Sequence, residues 1–329
     1  MRRALGGWLL LLLVGGAVPV RAAAGAWAAN PQSQVRLISP YAVAGRTGEF
    51  RFGVEFKLTP GWHAYWRNSG DAGFPPALVV KAAQVRDAEL LFPAPRRFEL
   101  RGGLVAFGYE DAVVYPVKAR LEGASGARLT IPVSLDYVVC ADECVPYRYD
   151  LTLDQPLGDV STPDAALAEL LFASEAQLPL SESAAHLKAS ALLVPGDAGH
   201  ATLNLAIPVG SRPGADIFFL PHDRFQLGKP VVTVGSAITK FSIPLDEKRL
   251  PAPPLTASDF AWTATGLALA DSPGVGAVAG TTRAVPVPTS VFPGIVLWPL
   301  VGAFVLVLLV LAFARRTRHS RSNSKETSR

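Results

Sequence analysis

Cys140 and Cys144 are the only cysteines in this 329-residue chain. They stand four residues apart in Val138-Val139-Cys140-Ala141-Asp142-Glu143-Cys144-Val145-Pro146. Such a pair is a structural bridge, half of a metal site, or a redox centre that cycles between dithiol and disulfide. A bridge this short closes a ring of about five residues. By chain entropy it is worth roughly 2 kcal/mol, against about 4.7 kcal/mol for a 100-residue loop. A chain that is 50% hydrophobic has ample material for a core and little need of a staple. Zinc wants four ligands, and the five histidines (His63, His186, His200, His222, His319) are scattered singly. The redox reading therefore stands ahead of the bridge, with metal well behind, and no cofactor is expected.

The flanking residues refine the chemistry. An alternating run, Leu129, Ile131, Val133, Leu135, Tyr137 and Val139, leads into Cys140, and a second, Tyr147, Tyr149, Leu151 and Leu153, follows Cys144. The pair is expected at the tip of a β-hairpin, with Asp136, Val138 and Cys140 on one face and Pro146 ending the pairing. No helix follows whose dipole would lower a thiol pKa. Asp142 and Glu143 between the thiols disfavour thiolate. An ordinary or raised thiol pKa suits a relay under a partner's control, not an aggressive nucleophile.

Two terminal segments set the expected compartment. Met1-Arg2-Arg3, an apolar run Trp8–Val14, and small residues at Ala22-Ala23-Ala24 and Ala26-Trp27-Ala28 follow the order of a secretory signal. Near the other end, Ile295–Ala314 is almost wholly apolar and long enough to cross a bilayer as a helix. Arg315, Arg316, Arg318, His319 and Arg321 come next, and positive residues favour the cytoplasmic side. The expectation is a single-pass membrane protein with its bulk outside and its C-terminus cytoplasmic. The basic tail accounts for much of the net charge of +4 and reads as a topology anchor, not a nucleic-acid face. One span excludes a multi-helix transporter.

Between these ends the pattern is all-β. Phe50, Phe52, Val54, Phe56 and Leu58 alternate with polar residues, as do Leu203, Leu205 and Ile207; Val231–Val234 and Phe241–Ile243 add further strands. The fold expected is all-β, two β-sandwich domains joined by a short helix, plus one C-terminal transmembrane helix. The segments expected are a signal over 1–28, a sandwich with the cysteine pair over 29–160, a helical linker over 161–183, a second sandwich over 184–270, a tether over 271–290, a span over 291–314 and a tail over 315–329. In the linker, Thr162 is expected as N-cap and Pro163 as the first helical residue. In Trp62-His63-Ala64-Tyr65-Trp66-Arg67, alternation puts Trp62, Ala64 and Trp66 on one face and His63, Tyr65 and Arg67 on the other; His63 reads as a packed histidine, and Arg67 and Asp71 as ties for the following loop.

The run Leu135–Pro146 resembles the cysteine hairpin of the N-terminal periplasmic domain of DsbD-type thiol–disulfide interchange proteins, and within them the ScsB-like branch. Gly61–Pro76 (GWHAYWRNSGDAGFPP) and Phe107–Asp111 with Val113–Val117 support the resemblance, which covers about Val35–Leu157 and extends more loosely to Ala268. It implies immunoglobulin-like domains, Cys140 and Cys144 as the catalytic pair, and a cap loop over the sulfurs. Gly102–Tyr109 is the candidate cap, with Phe107 and Tyr109 as its shielding residues. The family's embedded multi-helix domain and C-terminal thioredoxin-like domain are missing from this sequence. The implied partners are therefore a separate membrane-embedded electron donor and exported thiol proteins. The alternative is a non-enzymatic binding or scaffold module with a permanent disulfide.

Overall fold

The computed structural model describes residues 23–197, 199–249, 254–269 and 276–287. The apolar run of the expected signal, the expected span Ile295–Ala314 and the basic tail lie outside the described residues. Among the described residues no helix is long and apolar enough to cross a membrane.

The alternating runs become strands, in chain order β1 (Ala28–Ala29), β2 (Ser33–Ile38), β3 (Tyr41–Gly45), β4 (Gly48–Leu58), β5 (His63–Gly70), β6 (Ala77–Val80), β7 (Val85–Leu90), β8 (Arg96–Glu99), β9 (Val105–Glu110), β10 (Ala112–Leu121), β11 (Arg128–Cys140), β12 (Cys144–Gly158) and β13 (Thr162–Pro163). One sheet has the order β1-β2-β4-β10-β7. The facing sheet runs β13-β3-β12-β11-β5-β9-β8, with β6 also paired to β11. Phe52, Phe56 and Tyr115 from the first sheet meet Leu135, Tyr137 and Leu153 from the second, each at most 3% exposed. Phe56 packs edge-on against both Tyr115 and Tyr137. Alternation thus puts one face of each sheet in a shared core.

Helix α1 (Ala165–Glu175) follows. Its N-cap is Asp164, whose Oδ1 accepts the Leu167 N–H at 3.0 Å, not Thr162. Thr162 and Pro163 pair with β3 instead. A carboxylate is a good cap, and a proline at an edge strand loses no ladder bond, so the chain stays extended two residues longer than expected. Leu167 and Leu171 cover Ile38 and Val114 on the outer face of the first sheet, and the Ser174 hydroxyl donates to the Val114 carbonyl at 2.6 Å.

The second sandwich is built on one hydrogen-bonded path: Ser211–Phe219, Ser258–Leu267, Val278–Pro286, Ser190–Pro195, His200–Ile207, Thr239–Glu247 and Phe225–Leu227. Leu203, Leu205, Phe241, Ile243, Phe260 and Trp262 fill its centre. Two expected boundaries move. Val278–Pro286, expected within a tether, is a strand paired with Ser258–Leu267; its inward residues include Thr282 and Ala284, which carry little hydropathy signal. At the other end Ala23 is buried in the first core and the Gly25 N–H donates to the Leu37 carbonyl, so residues 23–28, expected within the signal, pack with the sandwich. The same small side chains suit a cleavage site and a tight strand edge.

Candidate functional site

β11 and β12 pair from Arg128↔Pro156 up to Cys140↔Cys144, and the two sulfurs are bonded, with Cα atoms 4.1 Å apart. Ala141, Asp142 and Glu143 form the tip, where the Ala141 N–H donates to the Glu143 carbonyl at 3.0 Å. The two cysteines differ sharply in environment. Cys140 is 1% exposed, whereas Cys144 is exposed. The cause is the pleat. Leu135, Tyr137 and Val139 point into the core, so Cys140 lies on the opposite, outer face of the sheet with Asp136 and Val138.

That outer face carries its own small cluster. Tyr65, Ala106 and Cys140 are buried together, with Phe98, Leu100 and Val138 packed on them. Tyr65 comes from β5, which meets the end of β11 in the register Ala64↔Val139 and His63↔Cys140. The Tyr65 hydroxyl lies 3.8 Å from Cys144 Sγ. Burial pushes the Tyr65 phenol up to about 12, so it remains a proton donor near neutral pH. Behind this ring, Gly73 (φ +74°) sits so close that a β-carbon would overlap the Tyr65 aromatic carbons. His63 is 4% exposed, stacked on Phe98 (5.3 Å, 20°) and edge-on to Tyr65 (5.2 Å, 77°). Burial holds its imidazole below the ordinary histidine value.

The cover over the sulfurs is the hairpin of β8 and β9 with the 3₁₀ turn Arg101–Gly103 between them. Its tip is closed by the Leu100 N–H donating to the Leu104 carbonyl at 2.8 Å. Arg101 reaches across to Asp142, 3.0 Å away, linking the cover to the cysteine tip; both side chains are well exposed. Asp71 fixes the start of β9, accepting the Val105 N–H at 2.8 Å.

The expected site residues divide on this geometry. Cys140 and Cys144 are brought together. Phe107 and Tyr109 lie in β9, but their side chains face away from the disulfide. Phe107 packs edge-on against Phe218 (5.2 Å) beneath the Arg97 guanidinium, and Tyr109 is buried with its hydroxyl donating to the Pro93 carbonyl at 2.7 Å. The residues packed on the Cys140 cluster are Phe98, one strand earlier in β8, and Leu100, just after it. Arg67 donates to Thr263 Oγ1 (3.1 Å), so it ties β5 to the second sandwich and not to its own loop. Sequence periodicity could have separated Ala106 from Phe107, since the two alternate in β9; what it lacked was the strand boundary.

β8 faces two ways. Phe98 covers the disulfide, while Arg97 forms a two-point pair with Asp216 (2.8 and 3.0 Å) and donates to the Ile217 carbonyl. Phe218, from the second sandwich, is buried in the first core against Trp66. Asn68 donates to the Phe219 carbonyl at 2.6 Å.

With this arrangement described, comparison with known proteins decides the family resemblance. Residues 34–156 match the family model for the N-terminal domain of the thiol:disulfide interchange protein DsbD. The DsbD-like segment thus takes in both cysteines, β5 and the β8–β9 cover, and the resemblance read from the three motifs is borne out. Among solved structures, the N-terminal periplasmic domain of ScsB from Proteus mirabilis matches with a TM-score of 0.59 at 20% identity, over 81% of this chain and 99% of that one. That likeness shows a shared fold reaching beyond the DsbD-like segment. No curated protein gives a significant match. Among the described residues no group of His, Cys, Asp or Glu has the makings of a metal site.

Proposed function

We propose that this protein is a membrane-anchored periplasmic thiol–disulfide interchange protein that passes reducing equivalents through Cys140 and Cys144. The observation that carries the reading is the asymmetry of the pair: an exposed Cys144 bonded to a buried Cys140 at a hairpin tip, inside a DsbD-like domain. An exchange centre needs one sulfur that a partner can reach and one that resolves the mixed disulfide. Cys144 fits the first role and Cys140 the second. The Tyr65 hydroxyl beside Cys144 is placed to donate to sulfur as a thiolate leaves. Phe98 and Leu100 cover the buried Cys140 and leave Cys144 open to a partner, and the Arg101–Asp142 pair links that cover to the cysteine tip. An exposed pair of this strength contributes little, roughly 0–1 kcal/mol, so a docking partner displaces it readily.

Electrons enter from a separate membrane-embedded donor and leave to exported thiol proteins. The apolar stretch Ile295–Ala314 would keep the domain at the membrane, next to that donor. The deciding experiment is the reduction potential of the pair, read by thiol trapping after equilibration in dithiothreitol or glutathione buffers. Structural bridges lie below about −300 mV, and exposed, exchangeable ones lie higher. A value above that level is expected. A bridge that resists reduction like a structural one would favour a scaffold module instead.

A further inference from the structure

His63 occupies an unusual place beside the buried sulfur. It is the direct cross-strand partner of Cys140 on one side and of Glu110 on the other. Directly opposed residues share one face of a sheet, with β-carbons about 4.5–5.5 Å apart. Cys140, His63 and Glu110 therefore form one row across β11, β5 and β9. His63 is 4% exposed, and its Nε2 is buried without a hydrogen-bond partner. Buried polar atoms are nearly always paired, so an orphan of this kind asks for an explanation. A disulfide sulfur carries no proton to offer the imidazole. A reduced Cys140 does. The thiol of the residue directly opposite would give the orphaned nitrogen a partner once the bridge opens.

We propose that His63 is the general base of the resolving step, taking the proton of the Cys140 thiol as its sulfur closes on Cys144. The proposal rests on the interchange reading above. Starting from the reduced pair, the Cys144 thiolate attacks one sulfur of a partner disulfide; that S–S bond breaks, and the other partner sulfur leaves as a thiolate and is protonated. A mixed disulfide now joins Cys144 to the partner. The Cys140 thiol then gives its proton to His63, and the thiolate attacks Cys144 Sγ. The mixed S–S bond breaks, the Cys140–Cys144 bond forms, and the second partner thiolate leaves to collect the proton held on the imidazolium. The pair loses two electrons and two protons, and the partner gains both.

The surroundings suit this role. On the His63 face of the packed elements stand Cys140 and Asp136 on β11, Tyr65 on β5, Glu110 on β9 and Arg96 on β8, with Cys144 at the start of β12 and Arg101, Asp142 and Glu143 at the two tips. Burial keeps His63 neutral, and so able to accept, near neutral pH. A buried thiol has a raised pKa and ionises poorly unaided, so a neighbouring base matters most for Cys140.

The test uses the full-length protein in detergent micelles, reduced and mixed with dithiobis-nitrobenzoate in a stopped-flow instrument. This aromatic disulfide releases one coloured thiolate when Cys144 attacks and a second when Cys140 resolves. His63→Phe keeps an aromatic ring packed on Phe98 and removes the nitrogens. At neutral pH its second phase should slow by about ten-fold or more, in line with general-base contributions, while the first phase keeps its rate. The gap should narrow as pH rises above about 8.5, the ordinary thiol value, and the buried thiol begins to ionise without help. Equal slowing of both phases, the same slowing at every pH, or no slowing would overturn the proposal. Should His63→Phe fail to fold, the unmodified protein still decides: its resolving rate should level off once His63 is neutral. A tenfold climb per pH unit up to about 8.5 would overturn the role. No second phase at all in the unmodified protein would sink the interchange reading itself, a result distinct from an unassisted second phase.

Discussion

Removing both sulfurs, by Cys140→Ala with Cys144→Ala, should leave the fold standing. The bridge closes a ring of about five residues, so chain entropy assigns it roughly 2 kcal/mol. Alanine avoids leaving a hydroxyl at position 140, where a buried unpaired polar group would add about 1–3 kcal/mol unrelated to the bridge. The register β11 and β12 share runs unbroken from Arg128↔Pro156 to Val139↔Val145 without the bridge, anchored by core residues Leu135, Tyr137 and Val139. The expected loss is therefore about 2 kcal/mol, plus a small packing term against Tyr65 and Ala106. Denaturant unfolding of a fragment covering residues 23–287 measures it, with an unchanged m-value showing that the same cooperative unit unfolds. A loss above about 5 kcal/mol, or failure to fold, would refute the reasoning and make the bridge structural.

Three further outcomes follow from the geometry. Phe98→Ala should speed alkylation of the reduced thiols by a bulky reagent, whereas Phe107→Ala should leave alkylation unchanged and lower stability through lost contact with Phe218; the opposite pattern would put the cover where the sequence alone suggested. A chain ending at Val287 should be released from washed membranes, and its retention there would point to an anchor other than Ile295–Ala314. Burial lowers the folded-state pKa of both His63 and His222. The unfolded state then binds more protons as pH falls below about 6.5, so stability should be full above that value and decline below it. His63→Phe should flatten part of the decline in unfolding midpoints measured across this window, and an unchanged slope would show that His63 does not contribute.

The cysteine hairpin was legible because period-2 alternation is a strong local signal and Cys140 ended a long run of it. The two faces of β5 were legible for the same reason. The identity of the cover was not. Phe98 and Phe107 are equally apolar, and only the register Arg97↔Phe107 and Phe98↔Ala106 decides which ring faces the sulfur. Val278–Pro286 escaped because Thr282 and Ala284 fill inward positions with little apolar area. The helix start slipped because Thr162, Pro163 and Asp164 are all acceptable N-terminal residues, and the choice was made by β3, a distant strand.

The two-sided character of β8 ties the redox centre to the architecture in a way that no single contact does. In a strand a shift of one position exchanges the faces. Inserting or deleting one residue ahead of Arg97 would lay a guanidinium over the disulfide and turn Phe98 toward Asp216. The sulfur chemistry and the joint between the sandwiches are thus encoded by adjacent letters of one short segment. A change of register there would disturb both at once, whereas a substitution at Arg97 or Phe98 disturbs one face and spares the other.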